Sequence, residues 1–213
     1  SWISVSENDL FDGGMERNII DGATDILNQI DPRPRAVLLF LSCIHLFAGC
    51  DFEMILGELR ARFPDVDFAD CYMNPTMRKS GLTPDQLMRR QLYSLLRPKK
   101  KNEKCVNLIG NDRPTDESSE LLTMLRGAGF EVRDITRCGT YEEYQKLAES
   151  AVNLTYLPAA AAAGEELERR LGQKHLYLPL SYSFEEIGKN YGKLTETLGI
   201  GTPDFSAEAA RAE

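Results

Sequence analysis

At pH 7 the 213-residue chain carries a net charge of −8, from 25 Lys and Arg against 33 Asp and Glu. That balance argues against a polyanion partner such as nucleic acid, which needs a basic face. Hydrophobic content of 42% with 27% charged residues is ordinary for a soluble globular protein; no apolar stretch reaches the ~18 residues of a membrane-spanning helix, and with no basic region followed by a long apolar one near Ser1, no secretory signal is expected.

In chain order, a helix is expected over Met15–Ile30, where Ile19, Ile20, Ala23, Ile26 and Leu27 recur at helical spacing. Asp31-Pro32 and Pro34 stop it. A first strand follows at Ala36–Ser42 (AVLLFLS), then a helix over Phe52–Phe63 and a second strand at Val66–Cys71. The basic run Arg97–Lys104 (RPKKKNEK) reads as a solvated linker, because like charges repel and stay wet. Beyond it come strands at Cys105–Gly110, Glu131–Ile135, Val152–Leu157 and His175–Leu180. Helices are expected at Glu117–Arg126 and Ala159–Leu171, and Thr140 with Glu143 forms a capping box for another. Strands that are continuously apolar rather than alternating predict sheets covered on both faces. Alternation of strand and helix predicts an α/β protein: two Rossmann-like lobes in tandem, residues 1–100 and 101–213, with parallel sheets flanked by helices.

The five cysteines, Cys43, Cys50, Cys71, Cys105 and Cys138, include no CxxC pair. They read as reduced thiols in a cytoplasmic setting. The stretch Ser42–Asp51 (SCIHLFAGCD) stands where ligands bind in doubly wound folds, beyond the carboxyl end of a strand. Cys43 would leave the first strand, and Gly49, Cys50 and Asp51 would open the next helix. A cysteine near a helix N-terminus tends toward the thiolate, the form that ligates iron. On residues alone, a buried structural thiol stands beside that reading. His45 reads as a partly exposed loop histidine and His175 as a structural one. Cys105 and Cys138 read as packing residues, and Asp51 as an acid favoured by the helix dipole. No nucleophile elbow surrounds Ser42, and no glycine-rich phosphate loop occurs. The acidic stretch IGNDRPTDES after the third strand would repel an anion. No catalytic residue is assigned.

Strand, Ser-Cys, five residues, Gly, any residue, Asp, helix resembles the nitrogenase component 1 superfamily, whose members carry C-x5-G-D-D at this place. The upstream NDLFDGGMERNIIDGATDIL, the stretch FADCYMNPTMRKSG, the strand–helix CVNLIGNDRPTDESSELLTMLRGAGFEVRDIT and the region VNLTYLPAAAAAGEELERRLGQKHLYLPL are similar to that family in order and spacing. The resemblance implies an oxidoreductase built from subunits of three α/β domains of ~150 residues each. It implies an ATP-dependent iron–sulfur reductase that delivers electrons, and a homologous component 1 subunit sharing an interface iron–sulfur cluster. On that likeness Cys43 is the metal ligand, the last of the cluster cysteines. Ser42, Gly49, Cys50 and Asp51 are the cofactor-binding residues around it, and Cys71 falls near a family cysteine in the turn after the second strand. The other cluster cysteines would lie before Ser1. One thiolate cannot hold a four-thiolate cluster, so the isolated chain is expected to carry none and to be inactive. It is also expected to be a fragment or a shortened relative. Two other readings stand beside this one: a non-catalytic carrier for a metal cofactor or tetrapyrrole, and a Rossmann-like module that binds a small molecule.

Overall fold

The computed structural model describes residues 1–72 and 81–204, together with 206 and 210. The chain divides into two compact units, Ser1–Leu95 and Leu96–Glu213. The turn expected after the second strand, at residues 73–80, lies outside the described residues.

Unit 1 runs α1 (Glu7–Phe11), α2 (Met15–Gln29), β1 (Ala36–Leu41), α3 (Cys43–Phe47), α4 (Phe52–Arg62), β2 (Asp67–Tyr72) and α5 (Pro84–Leu92). Strands β1 and β2 pair in parallel from Ala36↔Asp67 to Leu41↔Tyr72. The apolar stripe of α2 (Ile19, Ile20, Ala23, Leu27) packs with Ile55, Leu56 and Leu59 of α4 over the Val37, Leu39 and Leu41 face of β1. The opposite face departs from the expectation of a covered strand. Leu38 is 39% exposed and Phe40 59%. Side chains alternate sides along a strand, so an unbroken apolar run fills two faces, and the described residues of unit 1 cover one. Sequence reading missed α5, although Thr83 and Gln86 cap it reciprocally and Pro84 takes its first position.

Unit 2 runs β3 (Asn102–Leu108), α6 (Glu120–Gly127), β4 (Glu131–Asp134), α7 (Tyr141–Lys146), β5 (Ser150–Thr155), α8 (Ala161–Leu171), β6 (Lys174–Tyr177) and α9 (Phe184–Leu198). The strands are all parallel in the order β4-β3-β5-β6. The box at Thr140 and Glu143 does start α7. The missed α9 carries Ile187, Tyr191, Leu194 and Leu198 at helical spacing.

The two faces of this sheet differ in chemistry. On one, Val106, Leu108, Val152, Leu154 and Leu176 pack against Leu122 and Leu125 of α6 and Leu194 of α9. On the other, Asn107, Asn153 and His175 stand in register across β3, β5 and β6. Asn107 Nδ2 donates to Asn153 Oδ1 and to Leu147 O, each at 2.8 Å. Ser150 Oγ donates to Asn107 Oδ1 at 2.6 Å, and Cys105 Sγ lies 2.9 Å from that hydroxyl. Asn153 Nδ2 donates to Gln173 Oε1 at 3.3 Å, and Gln173 Nε2 donates to Leu147 O and Ser150 O. Asn107, Ser150, Asn153 and Gln173 are all 0% exposed. Each buried amide would cost a few kcal/mol unpaired, and the ladder removes that cost by pairing them with one another. His175 Nε2 sits 2.8 Å from Thr155 Oγ1, and its ring packs on Gly164 of α8.

The basic run is exposed at every position but Lys101, as expected of a solvated stretch, but it is not all linker. Strand β3 begins inside it at Asn102, Lys99 Nζ pairs with Glu149 at 3.2 Å, and Lys101 Nζ donates to Ala148 O at 3.4 Å. Lys104 Nζ lies 4.4 Å from the centre of the Phe130 ring. Burial lowers the Lys101 ammonium below its ordinary value.

Candidate functional site

Strand β1 ends at Leu41, and Ser42 leaves it in extended conformation as the N-cap of α3. Cys43 is therefore the first residue of a five-residue helix, half-buried, where sequence reading expects a loop. Helix α3 closes on a Schellman motif. Gly49 takes φ +70°, its N–H donates to Leu46 O at 3.1 Å, and the Cys50 N–H donates to His45 O at 3.0 Å. Only glycine adopts that left-handed backbone cheaply. Gly49 thus ends one helix rather than opening the next.

Asp51 opens α4. Its Oδ1 accepts from the Met54 N–H at 3.0 Å, an N-cap bond more specific than a dipole contact. The Asp51 N–H donates to Glu16 Oε1 at 3.2 Å. Glu16 also bears on Cys50: burial raises that thiol above its ordinary value, and the Glu16 carboxylate raises it further. Cys50 is therefore held as a thiol, contrary to the thiolate expected near a helix start.

His45 is no loop histidine. It is buried on α3, its ring 6.4 Å from that of Phe52, and Nδ1 accepts from the Ser42 N–H at 3.2 Å and lies 3.0 Å from the Ser42 hydroxyl. Its role is to fix the turn that carries Cys43. Cys71 lies inside β2, fully buried, with its thiol pushed up to about 12 by burial and by Asp70. Cys105 lies inside β3, and Cys138 follows the 3-10 turn Ile135–Arg137 with Sγ 3.5 Å from Asp134 O.

The structure brings Ser42, Cys43 and His45 into one turn and Gly49, Cys50 and Asp51 into the next. Among the described residues no three His, Cys, Asp or Glu side chains are grouped to hold a metal ion. The donor set of the described residues does not fit an iron–sulfur cluster by itself; Cys43 supplies a half-buried thiol just beyond the carboxyl end of β1. No helix among the described residues is long and apolar enough to cross a membrane.

The sequence profile of the family described as nitrogenase component 1 type oxidoreductase matches residues 3–213. A solved structure described as nitrogenase Cp1 at pH 5 superposes with a TM-score of 0.70 at 14% identity, covering 92% of this chain and 39% of that one. Another, nitrogenase Cp1 at pH 6.5, gives 0.66 at 14% identity, covering 92% and 38%. That likeness is one of fold, and this chain spans about two fifths of the length of those two structures. No curated protein matches the chain by sequence.

Proposed function

The chain belongs to the nitrogenase component 1 type oxidoreductases, and on that premise we propose that it contributes one thiolate, Cys43, to an iron–sulfur cluster shared with a homologous component 1 subunit. The cluster would accept electrons from an ATP-dependent iron–sulfur reductase protein. Within the family fold, the observation that carries this reading is the placement of Cys43. It stands on the first turn after β1, half-buried, on a helix whose neighbouring Ile44 and Phe47 are exposed at 37% and 72%. An apolar, partly open rim around a single thiol suits a ligand shared across a subunit interface better than one enclosed in its own chain. Ser42 and Gly49 then act by shaping the turn, Asp51 by capping α4, and Cys50 by packing. The five free thiols fit a reducing, cytoplasmic setting.

The test is anaerobic iron and acid-labile sulfide analysis, with a visible spectrum, on the protein co-expressed with its partner subunit. The expected result is a cluster in the wild type that is lost or altered in Cys43→Ser, with no cluster on this chain alone. Equal iron and sulfide in both forms of the complex, or none in either, would reduce Cys43 to a packing residue. Equilibrium binding of a metal cofactor or tetrapyrrole without turnover would move the carrier reading ahead.

A further inference from the structure

We propose that the outer edge of β1 pairs, antiparallel, with the β1 edge of a second copy of this chain, joining two two-stranded sheets into one of four strands. The hydrogen-bond phase of the strand carries this. The Asp67 N–H donates to Arg35 O at 3.0 Å, and Ala36 stands opposite Asp67 in the parallel ladder. In such a ladder alternate residues turn both backbone groups to the same neighbour, so Arg35, Val37, Leu39 and Leu41 bond to β2 while Ala36, Leu38 and Phe40 aim theirs at the other edge. Strand β2 is the only one paired with β1 among the described residues, and no hydrogen bond among them reaches the N–H or C=O of Ala36, Leu38 or Phe40. The same three residues carry the side chains of the uncovered face, because both alternations have a period of two.

Nothing on this edge guards it. Edge strands are ordinarily blunted by Lys, Pro or a bulge; β1 reads AVLLFL, and its register with β2 is unbroken. A groove of about 530 Å³ runs beside all six of its residues, walled by Trp2 and, from α2 and its C-cap, by Ile26 and Ile30. No Asp, Glu, Lys or Arg among the described residues lines the groove, so a neutral apolar strand would strand no charge there. Strand β1 of a second copy is such a strand. The area also suits a pair of copies. Trp2 and Phe40 are 96% and 59% exposed, which at the usual size of these rings leaves about 300 Å² open per copy and about 600 Å² in a pair. Leu38, Ile30 and the strand backbones bring the total toward the ~1,000 Å² that a specific interface needs.

Symmetry then fixes the register. Two copies related by a two-fold axis present the same patch to each other, which makes edge-paired strands antiparallel. With Leu38 opposite Leu38, Ala36 of each copy faces Phe40 of the other, and all three outward residues exchange both of their hydrogen bonds. A shift of two residues one way sets Phe40 against Pro34, which has no N–H. A shift the other way sets Ala36 against Ser42, whose N–H already donates to His45 Nδ1.

This inference does not depend on Cys43, and Cys43→Ser should pair as the wild type does. An interface of this size is weak. By static light scattering the whole chain should therefore be a monomer at roughly 5 µM, the range of a denaturant melt, and a dimer toward roughly 500 µM. Residue-resolved amide exchange reads the register. Val37, Leu39 and Leu41 should be protected at both concentrations, and Ala36, Leu38 and Phe40 only at the higher one. Phe40→Lys sets an unpaired ammonium against the apolar groove and should raise the dissociation constant by about tenfold or more, with Val37, Leu39 and Leu41 still protected. Three results would each overturn the proposal: a monomer at every concentration, a dimer in which Ala36, Leu38 and Phe40 exchange as fast as in the monomer, or a Phe40→Lys dimer as tight as that of the wild type. The wild-type comparison stands even if the variant does not fold.

Discussion

Strands β1 and β3 both look buried in sequence, AVLLFLS and CVNLIG, yet they end in opposite environments. In unit 1 one face of β1 packs on α2 and α4 while Leu38 and Phe40 on the other stay exposed. In unit 2 helices cover both faces of the sheet, and the second face is polar: Asn107, Asn153, Gln173 and Ser150 lie fully buried and bonded to one another. Burial and hydrophobicity therefore come apart in this molecule. Unit 1 leaves apolar side chains in water, and unit 2 hides amides. The exposed face is the less costly of the two, because an exposed apolar group forgoes stabilisation while an unpaired buried amide loses bonds it had in water.

The comparison is tested most severely at the two cores. Leu59→Ala removes a fully buried side chain from unit 1 and should cost about 2–5 kcal/mol. Hydrogen exchange followed by mass spectrometry should show the loss in α2, α4 and β2, with unit 2 amides unchanged. Asn107→Leu keeps the volume roughly constant but strands Asn153 Oδ1 and takes from Ser150 Oγ its carbonyl acceptor, while Leu147 O keeps its bond from Gln173. It should cost about 1–3 kcal/mol, the penalty of leaving buried polar groups unpaired, confined to unit 2. An Asn107→Leu variant as stable as wild type would mean that the ladder is interchangeable with an apolar face.

Gly164→Ala comes next. A Cβ there would run into the His175 ring, so the substitution should cost about 1–3 kcal/mol by overpacking. Adding His175→Ala should recover part of that loss, a coupling measured by a double-mutant cycle. A smaller effect concerns pH. Burial holds the His175 imidazole below its ordinary value of 6.5, opposed by Glu165 and Glu168. The unfolded chain therefore binds the proton more readily than the folded one. The His175 contribution is complete above about pH 6.5 and fades as pH falls below it. Denaturant melts of unit 2 should weaken over that window in wild type and less so in His175→Gln. Smallest of all, Phe40→Ser should change stability by no more than about 0.5 kcal/mol, because the side chain is already largely in water. A loss well above 1 kcal/mol in a urea melt would show that the β1 face is covered in solution.

Local signals carried much of the architecture. All six strands lie where apolar runs place them, within a few residues, and α2, α4, α6, α7 and α8 follow from periodicity or caps. Helices α5 and α9 were legible too, through the Thr83–Gln86 box and the Ile187–Tyr191–Leu194 spacing. Helix α3 was not. Five residues between a strand and a glycine hold too little pattern to separate a helical turn from a loop, and His45 within it is buried only because Phe52 and Ser42 come to meet it. At the candidate site the residue types were visible in the sequence, while their roles were not. Gly49 closes a helix instead of opening one, and Cys50 faces Glu16, 34 positions earlier in the numbering.

What the sequence determined by itself is what repeats locally: strand and helix order, parallel winding, and the family, whose signature is an order of short motifs. Only the tertiary structure decided which apolar faces are covered, which amides are buried together, and that His45 is buried against Phe52. The reason is physical. Periodicity records which residues share a face, but a face is buried, exposed or paired only by what a distant part of the chain places against it.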